Sequence, residues 1–405
     1  MLVTGAGAAE HWWGESFVAA AGSTAHFPPN VEKITPPELY VGILSGTSVD
    51  RVDATLVAFE PAPRLVAAQA LEFPADLRRE LLALATPGES EIDRLGQADS
   101  RLAELLAEAV NGLLRDAGVA AGMVRAIGSH GQTIRHRPGL APAFTLQIGD
   151  PNIIATRTGI PVVADFRRKD MALGGQGAPL VPAFHEAVFR TAGRDRVVVN
   201  LGGIANLTLL PGDPAARIGG FDTGPGNTLL DAWARRVLGE PMDRDGTLAA
   251  RGHVIPELLE VFLADPFFRK NPPKSTGPEH FSLEWLQERL TAANRAGEAD
   301  VQATLVALTA QTIAAAIRQT TAVQRPEVFV CGGGARNPAL MAALRKNLSE
   351  CTVETTAGLG VDPDWVEAMA FAWLARQRLE SRPGNHPSVT GARRAAILGG
   401  LYLPG

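Results

Sequence analysis

Cysteine is nearly absent: the 405 residues hold two, Cys331 and Cys351, too few for a secreted disulfide framework and without the paired spacing of a zinc site. A reducing cytoplasm is the expected compartment. Clusters of basic residues are missing too. With 38 Lys and Arg against 43 Asp and Glu, a net charge of −5 and a pI near 6.0, the chain exerts no long-range pull on nucleic acid. No nucleic-acid partner is expected. There is no run of about 18 apolar residues, and no basic start leading into an apolar block, so neither a membrane span nor a secretory signal is expected. Two nucleotide fingerprints are also lacking. The early "GAGAAE" places Glu10 where a dinucleotide site needs a third small residue, and "KSTG" at Lys274 has neither the first glycine nor the strand of a Walker loop.

What is present is an alternation of strands and helices long enough for two domains. Residues 1–38, rich in Gly, Ala and Pro, read as an N-terminal extension expected to be poorly ordered. From Val41 a β-branched run, a polar turn and a second run predict a hairpin, "VGILSGTSVDRVDATLV", with Asp50 and Asp53 in its turn. Helical spacing follows in "ADLRRELLALATPG" and from Glu91 to Gly118, where Leu95, Leu102, Leu105, Leu106, Val110 and Leu113 share a face. "VRAIG" and "IPVVADF" read as buried strands. At Arg196 the pattern restarts with "RVVVNLGGIANLTLLPG", a second strand, Gly turn and strand. Asp300 to Gln319 reads as a helix capped by Asp300. "PEVFVCGGGARNPALMAAL" reads as strand, Gly turn and a helix with Asn337 as cap and Pro338 at its first position. The alternation predicts an α/β protein built as a duplicated domain pair.

Three Gly-bearing turns at strand ends, Gly46 to Asp53, Gly202 to Asn206 and Gly332 to Asn337, suit backbone amides approaching phosphate and nucleoside. The ordered set "GILSGTSVDRVDATLV", "GSHGQTIRHRP", "LQIGDPN", "VADFRRKDMALGGQGAPLVPAFH", "VNLGGIANLTLL", "GFDTGPGN", "DRDG", "PPKSTGPEHF", "VCGGGARNPAL" and "EAMAFAWLA" resembles the anhydro-N-acetylmuramic acid kinase family from about Tyr40 to the C-terminus. The resemblance implies a two-domain actin-like ATPase fold of the hexokinase, Hsp70 and actin superfamily, ribonuclease H-like, with the active site in the interdomain cleft. It divides the chain into a first domain of 39–165 plus about 388–405 and a second of 166–387. It also implies ATP, Mg²⁺ and a small anhydro amino sugar of peptidoglycan recycling, which the enzyme opens with water while phosphorylating the released O6. Another sugar kinase of the superfamily, without ring opening, is the alternative, and a chaperone-like ATPase is a third. The apolar C-terminal helices offer a surface for a homodimer.

Particular residues carry these expectations. Asp222, on a strand end before Gly224 and Gly226, suits a rigid general base, the role the resemblance assigns it; an Asx turn is the plainer reading. Glu367 is an acid on an apolar helix and must find a partner; the resemblance sets it near the attacking water, against a plain helix N-terminal charge. His130, Gln132, Thr133, Arg167 and Gln176 are substrate candidates, with Arg167 for the sugar's carboxylate. Singly, His130 also reads as a turn histidine and Arg167 as part of a solvated face. Gly46, Thr47, Ser48, Val49, Asp50, Arg51, Val52 and Asp53 form the first ATP turn, with Asp50 or Asp53 holding Mg²⁺ through water. Gly202, Gly203 and Asn206 cover the other side of the phosphates, and Gly332, Gly333 and Gly334 the nucleoside. Asp243 and Asp245 are turn caps as readily as metal neighbours. In the family the first turn usually reads S-x-D-G. Arg51 takes the glycine's place here, which either leaves that position in ordinary backbone or alters ATP handling.

Overall fold

Each of the two Gly-turn hairpins expected from the sequence starts a sheet in the computed structural model, which describes residues 38–405 apart from 47–48, 273, 278, 291–295 and 321–322. The extension therefore lies, except for Glu38, outside the described residues. In the first sheet β1 (Leu39–Ser45), β2 (Arg51–Ala58) and β3 (Arg64–Glu72) form an antiparallel meander. β4 (Val124–Ser129) is added parallel to β1, and the hairpin of β5 (Gln132–Arg137) and β6 (Phe144–Ile148) stands apart. β7 (Val162–Ala164) then runs parallel to β4.

The second sheet repeats this path. β8 (Arg196–Leu201), β9 (Ile204–Leu210) and β10 (Gly219–Pro225) make its meander, and β11 (Glu327–Cys331) and β12 (Val353–Thr355) are added in parallel. β13 (Gly400–Tyr402) returns to pair with β7, so the spatial orders are β13-β7-β4-β1-β2-β3 and β10-β9-β8-β11-β12. A meander followed by two parallel strands, occurring twice, is the actin-like, ribonuclease H-like fold.

Every residue of β1 is buried because helices cover both of its faces. Leu39, Val41 and Ile43 join a core with the helix Glu91–Asp116, while Tyr40 and Leu44 face the helix Val366–Leu379. From Ala368 to Ala375 that second helix is apolar all round, as a helix stretch enclosed on every side must be. Its core takes Tyr40, Leu44 and Val57 from the first sheet and Val198, Leu210 and Cys331 from the second. The other face of the second sheet, with Val197, Val199 and Leu201, packs on the helix Glu298–Gln319. That helix is long and apolar enough to cross a membrane, but its apolar window is 78% buried within this core.

Two details correct the sequence expectation. The helix expected to start at the Asp300 cap begins earlier, at Glu298, and the Asp300 carboxylate instead accepts the amide of His253 at 2.7 Å. β3 was not expected at all, since "RLVAAQALE" lies half exposed at a sheet edge and lacks a clean alternation.

The helix Val366–Leu379 reaches the first sheet through a glycine pair. Gly42 and Gly128 are register partners on β1 and β4, and a Cβ on either would strike a backbone oxygen of the helix, Ala368 O or Phe371 O respectively. Gly42→Ala is therefore expected to lower stability by about 3 kcal/mol, read as a lower denaturant midpoint. An unchanged midpoint would show that the helix can stand off the sheet without cost.

Candidate active site

The first Gly turn is fastened from below. Ser45 Oγ donates to Gln132 Oε1 at 2.6 Å, and Arg78 donates from Nε to Val49 O at 3.0 Å and from a terminal nitrogen to Asp50 at 2.9 Å. Among the turn's described residues the left-handed one is Val49, with φ 52°, not Arg51. Arg51 opens β2, and its Nε lies 2.8 Å from Asp53 Oδ1 with its guanidinium carbon 5.6 Å from the centre of the Trp365 ring. Val49 and Val52 are buried in the core, so only their backbone is left for a ligand. Thr47 and Ser48 lie outside the described residues. Burial pushes the Asp53 carboxyl up to about 6; Glu367 and Asp364 add to the rise and Arg51 opposes it.

The second turn is tied to a helix. Gly202 O accepts Asn227 N at 2.9 Å, and Gly203 O accepts Gly226 N at 2.8 Å and Thr228 N at 3.0 Å, at the start of the helix Thr228–Leu238. One turn into that helix is Asp231, an acid the sequence did not single out. Burial pushes it up to about 7, Arg235 opposes and Asp50 adds, so it lies in the field of the first turn. In the third turn Gly332, at φ 80°, packs so closely on Asn200 Oδ1 that a Cβ would come within 2.5 Å. Asn337 then caps the helix Pro338–Asn347 as expected, accepting the amides of Ala339 and Leu340.

Register brings the two acids together. Cys331, Asn200, Asn206 and Asp222 are successive partners across β11, β8, β9 and β10, so their side chains share the face turned to the helix Val366–Leu379. Asn200 Nδ2 donates to Glu367 Oε1 at 3.3 Å. Burial raises the Glu367 carboxyl, while Arg167 and Asn200 oppose it. At the other end of the row burial pushes Asp222 up to about 6, against the Thr276 amide, which donates to Oδ2 at 2.9 Å, and the charge of Lys274. Beside it Thr276 Oγ is buried without a hydrogen-bond partner among the described residues. Asp222 is thus no self-satisfied Asx turn.

On the sugar-side motifs, Arg167 donates to Gly177 O at 2.8 Å and to His130 Nε2 at 2.9 and 3.3 Å. Arginine cannot accept and a carbonyl cannot donate, so His130 accepts at Nε2 and donates from Nδ1 to Gly131 O at 3.0 Å. It is a neutral imidazole, pushed down to about 3 by burial and by Arg167, and it rests 4.7 Å from the Phe371 ring. Burial likewise lowers Arg167 to about 10. Gln132 is buried and committed to Ser45 and to Thr133 O, and Thr133 Oγ accepts Gln147 Nε2 at 3.1 Å. Gln176 is half-buried, with its amide on Thr390 O at 2.8 Å. Asp243 is a turn cap, holding the amides of Leu248 and Ala249.

A family model described as anhydro-N-acetylmuramic acid kinase matches residues 38–404. The chain is 52% identical over 365 residues to the anhydro-N-acetylmuramic acid kinase of Shewanella amazonensis, covering 90% of this chain and 98% of that one. It is 50% identical over 367 residues to the enzyme of the same name from Coxiella burnetii, covering 91% and 98%. Among solved structures, the activator of the 2-hydroxyisocaproyl-CoA dehydratase from Clostridium difficile aligns over 84% of this chain and 96% of that one at 14% identity, with a TM-score of 0.43.

The loop after Arg167 depends on an acid that composition and spacing did not reveal. Asp170, fully buried, accepts from Asn385 at 2.5 Å, Thr390 Oγ at 2.7 Å and Gly177 N at 2.8 Å, joining the Gly174 to Gly177 loop to the C-terminal segment. Asp170→Ala leaves these donors unpaired and is expected to cost about 3 kcal/mol in urea unfolding, with faster proteolysis at the loop. Unchanged proteolysis would mean that other contacts hold it.

Proposed function

Because the chain belongs to the anhydro-N-acetylmuramic acid kinase family, we propose that it converts 1,6-anhydro-N-acetylmuramic acid, ATP and water to N-acetylmuramic acid 6-phosphate and ADP. Water oxygen bonds to the anomeric carbon as the C1–O6 bond breaks. The proton of that water passes to a carboxylate, and O6 takes the γ-phosphoryl group as its bond to ADP breaks. The near-full-length relatives favour this over a sugar kinase that phosphorylates an intact hydroxyl.

The observation that carries the assignment of roles is the polar row Asn200–Asn206–Asp222, which sets Asp222 and the Asn200-bound Glu367 on one face beside the phosphate turns. Asp222, held by the Thr276 amide, takes the proton; its elevated pKa makes it a better acceptor near neutrality than an ordinary carboxylate. Glu367 positions the water or the sugar. Arg167, whose described partners are a neutral imidazole and a carbonyl, keeps its charge for the lactyl carboxylate. The turns at Gly46 to Asp53 and Gly202 to Asn206 cradle the phosphates between the two sheets, which we take as the two lobes, and Gly332 to Gly334 border the nucleoside.

Asp50 and Asp53 fit a hydrated magnesium ion: they are hard oxygen donors, and Asp53 is crowded by Glu367 and Asp364 in a way that calls for positive charge. When bound, magnesium neutralises phosphate charge. The cytoplasm, which supplies ATP and keeps Cys331 and Cys351 reduced, is the proposed compartment.

Mass spectrometry of the product tests the reaction, since ring opening adds a water as well as a phosphoryl group, and a product without the added water would overturn it. Asp222→Asn is expected to lower turnover by at least ~10² with ADP affinity kept. In the parent, kcat/KM should fall about tenfold per pH unit below pH 6, as Asp222 protonates. Full turnover in the variant would remove Asp222 from the mechanism.

Arg51 competes with a cation for Asp53. Arg51→Gly should lower, several-fold, the Mg²⁺ concentration that half-saturates ADP binding in calorimetry. An unchanged Mg²⁺ dependence would place the metal away from Asp53.

A further inference from the structure

Asp222 is held by the loop that carries Lys274 and Thr276. Its amide donates to Lys274 O at 3.1 Å while the Thr276 amide donates back to its carboxylate, so residues 274 to 276 run across it like an added strand. The Lys274 ammonium is half-buried. It lies 3.4 and 3.5 Å from the carbonyls of Phe267 and Phe268 and 4.8 Å from the centre of the Phe267 ring. Those carbonyls end the short helical turn Pro266–Arg269, where partial negative charge accumulates.

The turn is itself anchored. Asp265 caps it and also accepts from Trp285 Nε1 at 2.8 Å, Arg289 at 3.1 Å and His280 Nε2 at 3.2 Å. Phe267, Phe281 and Trp285 pack edge to face behind it, and Phe268 Cε1 lies 2.6 Å from where a Cβ on Gly224 would be. A cation is thus parked on a rigid aromatic block where its field reaches Asp222, and among the described residues no carboxylate hydrogen-bonds to it.

We propose that Lys274 is a positioning residue for the reaction: its ammonium keeps Asp222 ionised and its backbone, with that of Thr276, aims the carboxylate. The proposal rests on Asp222 being the base. Charge and placement are separable here, because the side chain supplies one and the main chain the other. The groups facing Asp222 are Asn206 from β9 and Lys274 and Thr276 from the loop, with Lys270 adding a second positive charge beside Lys274. Lys274 is the cation whose field acts on the carboxylate.

Lys274→Met should move the acid limb of kcat/KM up by about one pH unit, and Lys274→Arg should restore it. ADP affinity should match the parent in both, which also reports that they fold. Independently of turnover, a ¹³C titration of the Asp222 carboxyl without substrates should show the same upward shift in Lys274→Met. If the parent fails to turn over the anhydro sugar while the carboxyl still shifts, the proposed function falls and the charge coupling stands. If neither the limb nor the carboxyl moves in Lys274→Met, Lys274 is merely structural and the proposal is overturned.

Discussion

The close approach of the helix Val366–Leu379 to the first sheet governs the rest of the molecule. Side chains keep a helix about 10 Å from a sheet. Here Gly42 and Gly128, abreast in the register, remove two of them at the crossing, and the helix backbone settles against the strands. Its first turn then reaches the second sheet, where Glu367 accepts Asn200, and its second turn lays Phe371 against His130. One helix therefore fixes Glu367, supports the partner of Arg167 and fills the core shared by both sheets. A shift of that helix would be felt at all three places, because a close-packed interior transmits displacement.

The second sheet provides the complementary half through register alone. Opposed residues in a ladder share a face, so one polar row across four strands carries the Asn200 contact with Glu367 to Asp222, two strands away and about 10 Å distant. Cys331 at the row's inner end is buried, and burial raises its thiol, so it remains a neutral packing group behind Asn200. β10 is the edge strand of its sheet, so while Asp222 stays opposite Asn206, its amide is free to bond Lys274 O of the 274–276 segment on the open edge.

Periodicity and turn chemistry were enough to read both hairpins, the Glu91 helix and the Asn337 cap from the sequence, since each is decided by residues close together in the chain. The Asp300 cap failed because its carboxylate found a better donor, His253 N, far away in sequence. Within the site, Asp222 and Glu367 stood out as acids in apolar or Gly-rich settings. Asn200, Asp170 and Asp231 did not, because an amide on a strand and acids on helices look ordinary until tertiary contacts give them partners. Gln132 shows what the sequence could not place: in "SHGQTIRH" it reads as an open donor, whereas its Oε1 accepts Ser45 and its Nε2 gives one bond to Thr133 O, beneath the first Gly turn. Arg51 likewise could not be placed from the sequence, since whether it needs φ > 0 depends on where the turn bends. Val49 takes an uncommon left-handed backbone conformation, and Arg51 begins β2 in the extended one.

The choice of counter-groups divides the site chemically. Asp53, Asp222 and Asp231 are each buried enough to sit well above ordinary carboxylates, and each feels a single opposing cation, Arg51, Lys274 or Arg235. None is neutralised outright, so this side keeps proton-accepting capacity and an appetite for a cation. Arg167 is treated in the opposite way. Its hydrogen bonds go to an imidazole that burial keeps neutral and to a peptide carbonyl, and Glu367 and Asp170 act on it only through the field. A carboxylate in the place of His130 would have cancelled the guanidinium, whereas a neutral acceptor orients it and leaves its charge unspent. Carboxylates short of cations on one side and a cation with no carboxylate hydrogen bond on the other suit the substrate pair we propose, phosphates at the first and a carboxylate-bearing sugar at the second.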